Sequence, residues 1–527
     1  MKLYLAVACL ASIAGCASGS AIVRRTPEAS KTEAAIVRPA DSNAPCDPTL
    51  TLAPDARRGT IRVRLESPGP CRARWRFPGS IEALEQKDLP WQVRYEVRPG
   101  SSSRGCPFEV TPDRAVFCGE AVIPLPEGED LPRRTHLVLA ADGTFHRSAA
   151  SSFGVDPPSG RLSFDDIARA VFVFGDLGLA RFRVPEGRDH AAWLGSFSFD
   201  PRWVAAEAAG VRTAVDRWFG LSRHEDPSVG MLLVSRSAQG RDVLVRSVLR
   251  GVLIEADVTA PWSARARLDV ARRFVQRVIG PGLSVQDAEG PGARAWFEEG
   301  VAHAIGLNVL AEAGILTPDE IAAEVSTWLA EDVISALRDQ PLAELAQALD
   351  GSFETGKHDA RRLLAVRGAL VGLSLGPGLR RTLSGALREG RSHVSMDDLF
   401  PRGRSGRSLR EAFVSGAVIP FQAEPLGPCL VTVRRPVAPF DLGFTPEGPD
   451  AAVPFRIGSV KAGSAAARVG LRSGDLVLSL DVAAGRASSA ARITVERAGR
   501  SLVFEYLPRG TPRTGYVVLA LRGCGFG

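Results

Sequence analysis

Apolar residues recur along this chain with two different periods, and the change of period divides it. Between about residues 46 and 183 the pattern is alternation: TIRVRLES, WQVRYEV, AVIPLP, HLVLAA, AVFVFG and LARFRVP, separated by Pro, Gly and Asp. Alternation puts every second side chain on one face of a strand, so this stretch reads as mostly β and sandwich-like. From about 184 to 427 the spacing shifts to three and four. It predicts helices at 201–219, 264–279, 293–313, 317–330 and 361–387, with a strand pair near 231–234 and 252–256. Beyond 428 short strands return as RIGSV, LVLSL and ARITVERA. The expected fold is multidomain α+β: a β-sandwich-like domain at 46–183, a mostly helical domain at 184–427 and a C-terminal β domain at 428–527.

The first 45 residues fit neither period. Met1-Lys2 leads into an apolar run over 3–14, too short to span a bilayer and shaped like a signal-peptide core. Ile13-Ala14-Gly15-Cys16 resembles the bacterial lipobox. That resemblance implies a signal at 1–15, a lipid on Cys16 and a cell-envelope location, and Ala17 in place of Asp points to the outer membrane. Residues 16–45, rich in Ala, Ser, Thr, Pro and charges, read as a flexible tether. An exported chain with Cys46, Cys71, Cys106, Cys118, Cys429 and Cys524 is expected to form disulfides, with 46–71, 106–118 and 429–524 as one of many possible pairings. The net charge of +6 is spread along the chain, and Lys occurs only at positions 2, 31, 87, 357 and 461. Without a basic stripe interleaved with aromatics, a nucleic-acid partner is not expected.

Chemistry concentrates at 296–316, which reads WFEEGVAHAIGLNVLAEAGIL. The phrase W-x-x-E-G followed by a helix resembles the third-ligand segment of the glycyl aminopeptidase family, thermolysin-like zinc peptidases. The resemblance covers most of 130–520 in order. It implies an H-E-x-x-H helix just upstream, where this chain has Arg272-Arg273-Phe274-Val275-Gln276. A zinc of that kind needs two imidazoles one helical turn apart, and a glutamate beside the first to serve as base. Arg272 and Gln276 supply no neutral ring nitrogen, and Arg273 at the base position is a permanent cation. Glu299 stands at the third-ligand position, where it is expected to pair with Arg272 or Arg273. Within LAVRGALVGLSLGPGLRRTLSG (364–385), Ala365 falls where active relatives carry a tyrosine that steadies the developing oxyanion. Zinc, the family's cofactor, is therefore not expected here. Glu299 and His303, one helical turn apart, are a second metal pair only if ligands come from elsewhere. Without the family, 268–279 is simply an amphipathic helix burying Leu268, Ala271, Phe274, Val275 and Val278.

The region 428–521 resembles a PDZ domain: Asp441-Leu442-Gly443-Phe444 stands at the carboxylate-binding loop, followed by GSAAARVGLRSGD. That makes Leu442, Gly443 and Phe444 candidate peptide-binding residues. Ser464 is placed to cap a short helix, Gly470 to end it, and Gly474-Asp475 to turn into a strand. Only 481–490 separate LVLSL from the next strand, little room for the second helix that closes a PDZ groove. Gly372-Leu373-Ser374-Leu375-Gly376 matches the G-x-S-x-G elbow but lacks a preceding strand, so Ser374 reads as a helix-end residue. Asp189-His190 and His224-Glu225-Asp226 read as solvated loops. Taken together, the sequence points to an envelope lipoprotein that binds a peptide or protein partner without catalysis. The alternatives are an active metallopeptidase with a non-standard site and a structural envelope protein. Oligomeric state is not legible.

Overall fold

The computed structural model describes residues 46–521, except 70, 72–73, 79–80, 89–90, 99–106, 128–132, 141–147, 156–159, 185–186, 222–229, 237–241, 287–289, 351–356, 424–425, 449–452, 483–486 and 488. Cys16, the signal and tether, Cys106, Cys524 and His224–Asp226 lie outside the described residues. Cys46 and Cys71 form a disulfide. Cys118 and Cys429 are also disulfide-bonded, with partners outside the described residues.

Strand alternation builds a stack of layers. One sheet has six strands in the order Arg161–Ser163, Arg134–Leu139, Thr49–Asp55, Thr60–Ser67, Trp91–Val97, Ile81–Asp88. A four-stranded sheet of Ser148–Ser151, Val171–Gly175, Arg114–Cys118 and Phe108–Val110 packs against it. The middle strand VFVFG is buried on both faces. Phe172 and Phe174 join Leu52, Val63 and Tyr95 in the first core, while Val171 and Val173 join Leu232, Val234 and Leu253 in the next. A period of two on a strand makes this possible, because odd and even positions serve different cores. The second core belongs to a five-stranded sheet ordered Leu177–Val184, Gly187–Leu194, Gly230–Arg236, Gly251–Asp257, Val243–Val248. Its far face, carrying Met231, Leu233 and Ile254, is covered by the helices.

Two quoted strands behave differently from the expectation. AVIPLP is largely not a strand: Gly119–Ala121 is a short 3-10 turn, and pairing resumes only at Leu125–Glu127. The Gly119 amide donates to the Ala170 carbonyl at 2.8 Å, so this segment is held by the end of the Phe164–Arg169 helix instead of by a strand neighbour. LARFRVP pairs forward with Gly187–Leu194, so it opens the five-stranded sheet and takes no part in the preceding ones. Asp189 is also not in a solvated loop. It sits on that second strand, 0 % exposed, ion-paired with Arg212 at 2.8 Å.

Pro201–Phe219 forms as the spacing predicts, capped by Asp200 and ended by left-handed Gly220. The helix expected at 264–279 runs over Ala264–Val275 and stops before Ile279, with Gln276 as its C-cap. The 293–313 segment is three consecutive pieces: Gly290–Ala295, a wider π turn at Trp296–Val301, and Ala302–Glu312. Thr317 and Glu320 form a reciprocal capping box at the start of Pro318–Ile334. The stretch 361–387 is not one helix. Lys357–Leu375 and Pro377–Arg388 meet at 96°, with Gly376 at φ 52° between them. Pro377 lacks an amide proton and clashes with the preceding turn, so it ends one helix and begins another. Ser374 donates to the Leu370 carbonyl at 2.8 Å inside the first, and carries no elbow geometry. Among the described residues no single helix is long and apolar enough to cross a membrane.

The W-x-x-E-G phrase has a packing reason. Trp296 is fully buried against Phe413, and the π turn crosses Lys357–Leu375 at van der Waals distance. A Cβ on Gly300 would lie 2.5 Å from the Ala365 carbonyl, and one on Gly368 would lie 2.0 Å from the Trp296 carbonyl. Neither position accepts a side chain at this crossing.

The C-terminal region has two parts. Strands Leu430–Val437 and Arg513–Ala520 form an antiparallel ribbon laid on the Pro318–Ile334 helix. Ser326 Oγ both donates to the Val518 carbonyl and accepts from its amide, and Leu430 and Val518 belong to the helical core. Five further strands, Phe444–Pro446 through Arg500–Tyr506, surround a separate core that includes Ile457, Val477, Ile493 and Val495. Ser464 caps Ala465–Val469 by accepting from the Ala467 amide, Gly470 ends it at φ 90°, and Gly474 turns at φ 88°. The described residues of 481–490 include no helix.

Candidate functional site

The helix Ala264–Val275 lies against Ala302–Glu312, and this contact assembles the site. Gly306 eases the approach, since a Cβ there would sit 3.2 Å from the Arg272 amide nitrogen, tighter than ordinary contact. Arg272, Arg273, Gln276 and Glu299 are brought within electrostatic reach of one another. Gln276 Nε2 donates to the Glu298 carbonyl at 3.0 Å, tying the helix end to the π turn. Arg273 Nη1 donates to Gln276 Oε1, and its Nε donates to the Val245 carbonyl on the edge strand, both at 3.0 Å.

The expected pairing of Glu299 with Arg272 or Arg273 does not form. Glu299 is held by Arg361, with Nη2 to Oε1 at 2.6 Å, and Arg272 turns instead to Asp269 at 3.1 Å. The reason is geometric. Asp269 is three residues before Arg272 on the same helix face, whereas Arg361 reaches the outer side of Glu299 from the crossing helix. Ala365 lies one turn beyond Arg361 on that helix, its backbone against Gly300. Its methyl group supplies no hydrogen-bond donor to the site.

Arg272 and Arg273 are partly buried. Burial lowers both below the ordinary arginine range, and the neighbouring Arg272 helps bring Arg273 down to about 10. Both remain cationic near neutrality. His303 is 8 % exposed, and its ring edges onto Trp328. Its Nδ1 lies 2.8 Å from the Glu299 carbonyl, an acceptor, so that nitrogen carries the proton. Nε2 is then a buried lone pair without a hydrogen-bond partner.

This donor set does not fit a zinc ion. Two guanidinium groups stand where imidazole and base would be, Gln276 is committed to a carbonyl, and the Glu299 carboxylate is already neutralised. Among the described residues no three His, Cys, Asp or Glu side chains group closely enough to hold a metal ion.

The state of His303 has a consequence for stability. Burial, followed by the fields of Arg272 and Arg265, holds its pKa well below the usual 6.5. The unfolded chain therefore takes up the proton first. Stability from neutral His303 is complete above pH ~6.5 and falls as pH drops toward the folded pKa, by up to about 1.4 kcal/mol per pH unit. Chemical unfolding between pH 7.5 and 5 should show a steeper loss for wild type than for His303→Gln. Parallel curves would mean that His303 is not the group responsible.

The other candidate residues lie apart, over the separate C-terminal core. Gly443 adopts φ 75°, and its amide donates to Asp441 Oδ1 at 2.8 Å. The Leu442 carbonyl accepts from the Tyr506 hydroxyl at 2.7 Å, and Lys461 pairs with Asp441 at 3.1 Å. Phe444 is buried in the core. The Gly443 amide is thus taken by the chain's own Asp441 carboxylate. Sequence reasoning missed Asp441 in this role, although its place two residues before Gly443 is an Asx-turn signal.

Sequence reasoning also missed a cleft of about 650 Å³ that opens beside Arg273 and Gln276, between the β layers and the helices. Its walls come from several distant segments, so no local pattern marks it.

No sequence-family model matches the chain, and no curated protein sequence does. Solved structures do. An aminopeptidase N family protein from Idiomarina loihiensis aligns with TM-score 0.63 at 14 % identity, over 90 % of this chain and 98 % of that one. An M1 zinc metallopeptidase mutant from Deinococcus radiodurans, bound to a Tyr-Ser-Ala substrate, aligns at 15 % identity and TM-score 0.45, over 72 % of this chain and 96 % of that one. At such identity the likeness is one of fold. The chain has a multidomain α+β architecture similar to that of the aminopeptidase N family protein.

Proposed function

We propose that the protein is a non-catalytic relative of the thermolysin-like peptidases, resembling glycyl aminopeptidases in its W-x-x-E-G phrase. It binds a peptide or protein partner at the bacterial cell envelope. In this reading Cys16 carries a lipid that anchors the chain, with the outer membrane as its site, and the C-terminal region is a PDZ-like domain. The observation that carries the proposal is the bonding of Arg272, Arg273 and Gln276. They are not vacant ligand positions but a connected group tied to Asp269, the Val245 carbonyl and the Glu298 carbonyl. The open cleft beside them favours partner binding over a purely structural role, for which a filled site would be expected.

The occupied Gly443 amide argues for a packing role of the Leu442–Gly443–Phe444 loop, with peptide contact elsewhere. The test is zinc content and peptide hydrolysis by the purified full-length protein after zinc loading. The expected result is no stoichiometric zinc and no chelator-sensitive cleavage. One tightly held zinc with hydrolysis abolished by Glu299→Ala would replace this reading by that of an active metallopeptidase.

A further inference from the structure

The cleft beside the degenerate helix is dominated by one kind of charge. Arg169, Arg246, Arg250, Arg273 and Arg277 line it, with Glu120 as the acidic residue on its walls. They arrive from the end of the Phe164–Arg169 helix, the edge strand Val243–Val248, the hairpin that follows it and the end of Ala264–Val275. Two of them are already neutralised, Arg169 by Asp166 at 2.8 Å and Arg246 by Glu255 at 2.6 Å.

Arg250 and Arg273 are different. Arg250 occupies the left-handed region at φ 58°, which costs a non-glycine residue about 1 kcal/mol. Its guanidinium stacks 5.9 Å over the Phe153 ring and makes no ion pair among the described residues. Arg273 spends Nε on the Val245 carbonyl and Nη1 on Gln276, leaving Nη2 uncommitted, and it too forms no ion pair among the described residues. A partly buried guanidinium without a carboxylate is a costly arrangement, as its lowered pKa reflects, and an incoming anion relieves that cost.

The shape of the cleft narrows the ligand. At about 650 Å³ it is far larger than a single phosphate or carboxylate. Val171, Val248, Leu253 and Pro281 give it apolar wall between the cations. Among the described residues the edge strand Val243–Val248 pairs only with Gly251–Asp257, and on its other side Arg273 holds the Val245 carbonyl. Cations spaced across an apolar wall beside a strand edge suit an extended segment with acidic side chains better than a compact ion.

We propose that this cleft binds an acidic peptide segment whose carboxylates are received by Arg250 and Arg273, with Arg246 beside them. This rests on the peptide-binding reading above and adds the chemical class of the peptide. Where a metallopeptidase would place a cation to polarise its substrate, this chain uses fixed guanidinium groups to hold a ligand without cutting it.

The experiment is fluorescence anisotropy on the full-length protein with labelled Glu/Asp-rich, Gln/Asn-rich and Lys-rich peptides of equal length. It is run at two salt concentrations and with inorganic phosphate as competitor. The expected result is binding of the acidic peptide alone, weakened by salt, with about a tenfold loss on Arg250→Gln. Arg250→Glu and Arg246→Glu together should weaken the acidic peptide and favour the Lys-rich one, a gain that misfolding cannot imitate. Equal binding of acidic and neutral peptides would overturn the proposal while leaving peptide binding intact. Full competition by phosphate at the peptide's own concentration would reduce the cleft to a simple anion site. Binding of none of the three peptides would remove both this proposal and the reading beneath it.

Discussion

Asp332→Ala is expected to destabilise the helical region by about 3–5 kcal/mol, because it strands a buried arginine. Arg367 is 1 % exposed and Asp332 2 % exposed, with Nε to Oδ1 at 2.8 Å. The rest of the guanidinium is spent on backbone: Nη1 donates to the Gln340 carbonyl at 3.2 Å, and Nη2 to the carbonyls of Arg338 and Gly416. One side chain therefore fixes the helix Lys357–Leu375 to the turn after Pro318–Ile334 and to the end of Arg404–Ser415. That helix also positions Arg361 and Ala365 at the candidate site. A hydrophobic double replacement, Arg367→Met with Asp332→Leu, removes both charges and should cost much less than the single change. Urea unfolding followed by far-ultraviolet circular dichroism separates the two. If Asp332→Ala unfolds within about 1 kcal/mol of wild type, the pair is not the staple described here.

Installing an H-E-x-x-H ligand set should create metal binding. The triple change Arg272→His, Arg273→Glu and Gln276→His places imidazoles at the helix end and its C-cap, one turn apart, with Glu299 within electrostatic reach. Adding Arg361→Ala frees the Glu299 carboxylate from its present partner. The expectation is about one zinc per folded chain by elemental analysis, against none for wild type, lost again on Glu299→Ala. The substitutions also remove the donor to the Val245 carbonyl. A rebuilt variant with native circular dichroism and no zinc would show that these positions do not superpose on a metal site, and would withdraw the equivalence on which the non-catalytic reading stands.

What could be read in advance followed the range of the interactions. Pro201–Phe219, Thr60–Ser67 and Trp91–Val97 appear where periodicity puts them, because period and capping are local properties. Ser464, Gly470 and Gly474 likewise act as their types require. The bend at Gly376–Pro377 was written in the proline but masked by apolar spacing that continues on both sides. Partner choice was not legible. Glu299 and Arg361 are 62 residues apart, and Asp332 and Arg367 are 35 apart, so only the folded chain selects these pairs. Asp189 looked like a loop residue because its neutralising Arg212 is on another element. The arginine cleft was hidden for the same reason, its cations being distributed over more than a hundred positions in a chain already rich in Arg.

The strand ribbon on the Pro318–Ile334 helix carries a kinetic consequence. Ser326 waits for Val518, 192 residues later, before the side of the helix beneath the ribbon is covered. That interval is the time in which those 192 residues are delivered, whether by synthesis or by export. Throughout it the helix presents an incomplete apolar surface to its surroundings, while the β layers, whose last strand ends at Asp257, already have every strand they need. The nascent chain is thus half-finished in a defined way, with a completed front and an adhesive middle, and holdase chaperones have a predictable window in which to act on it.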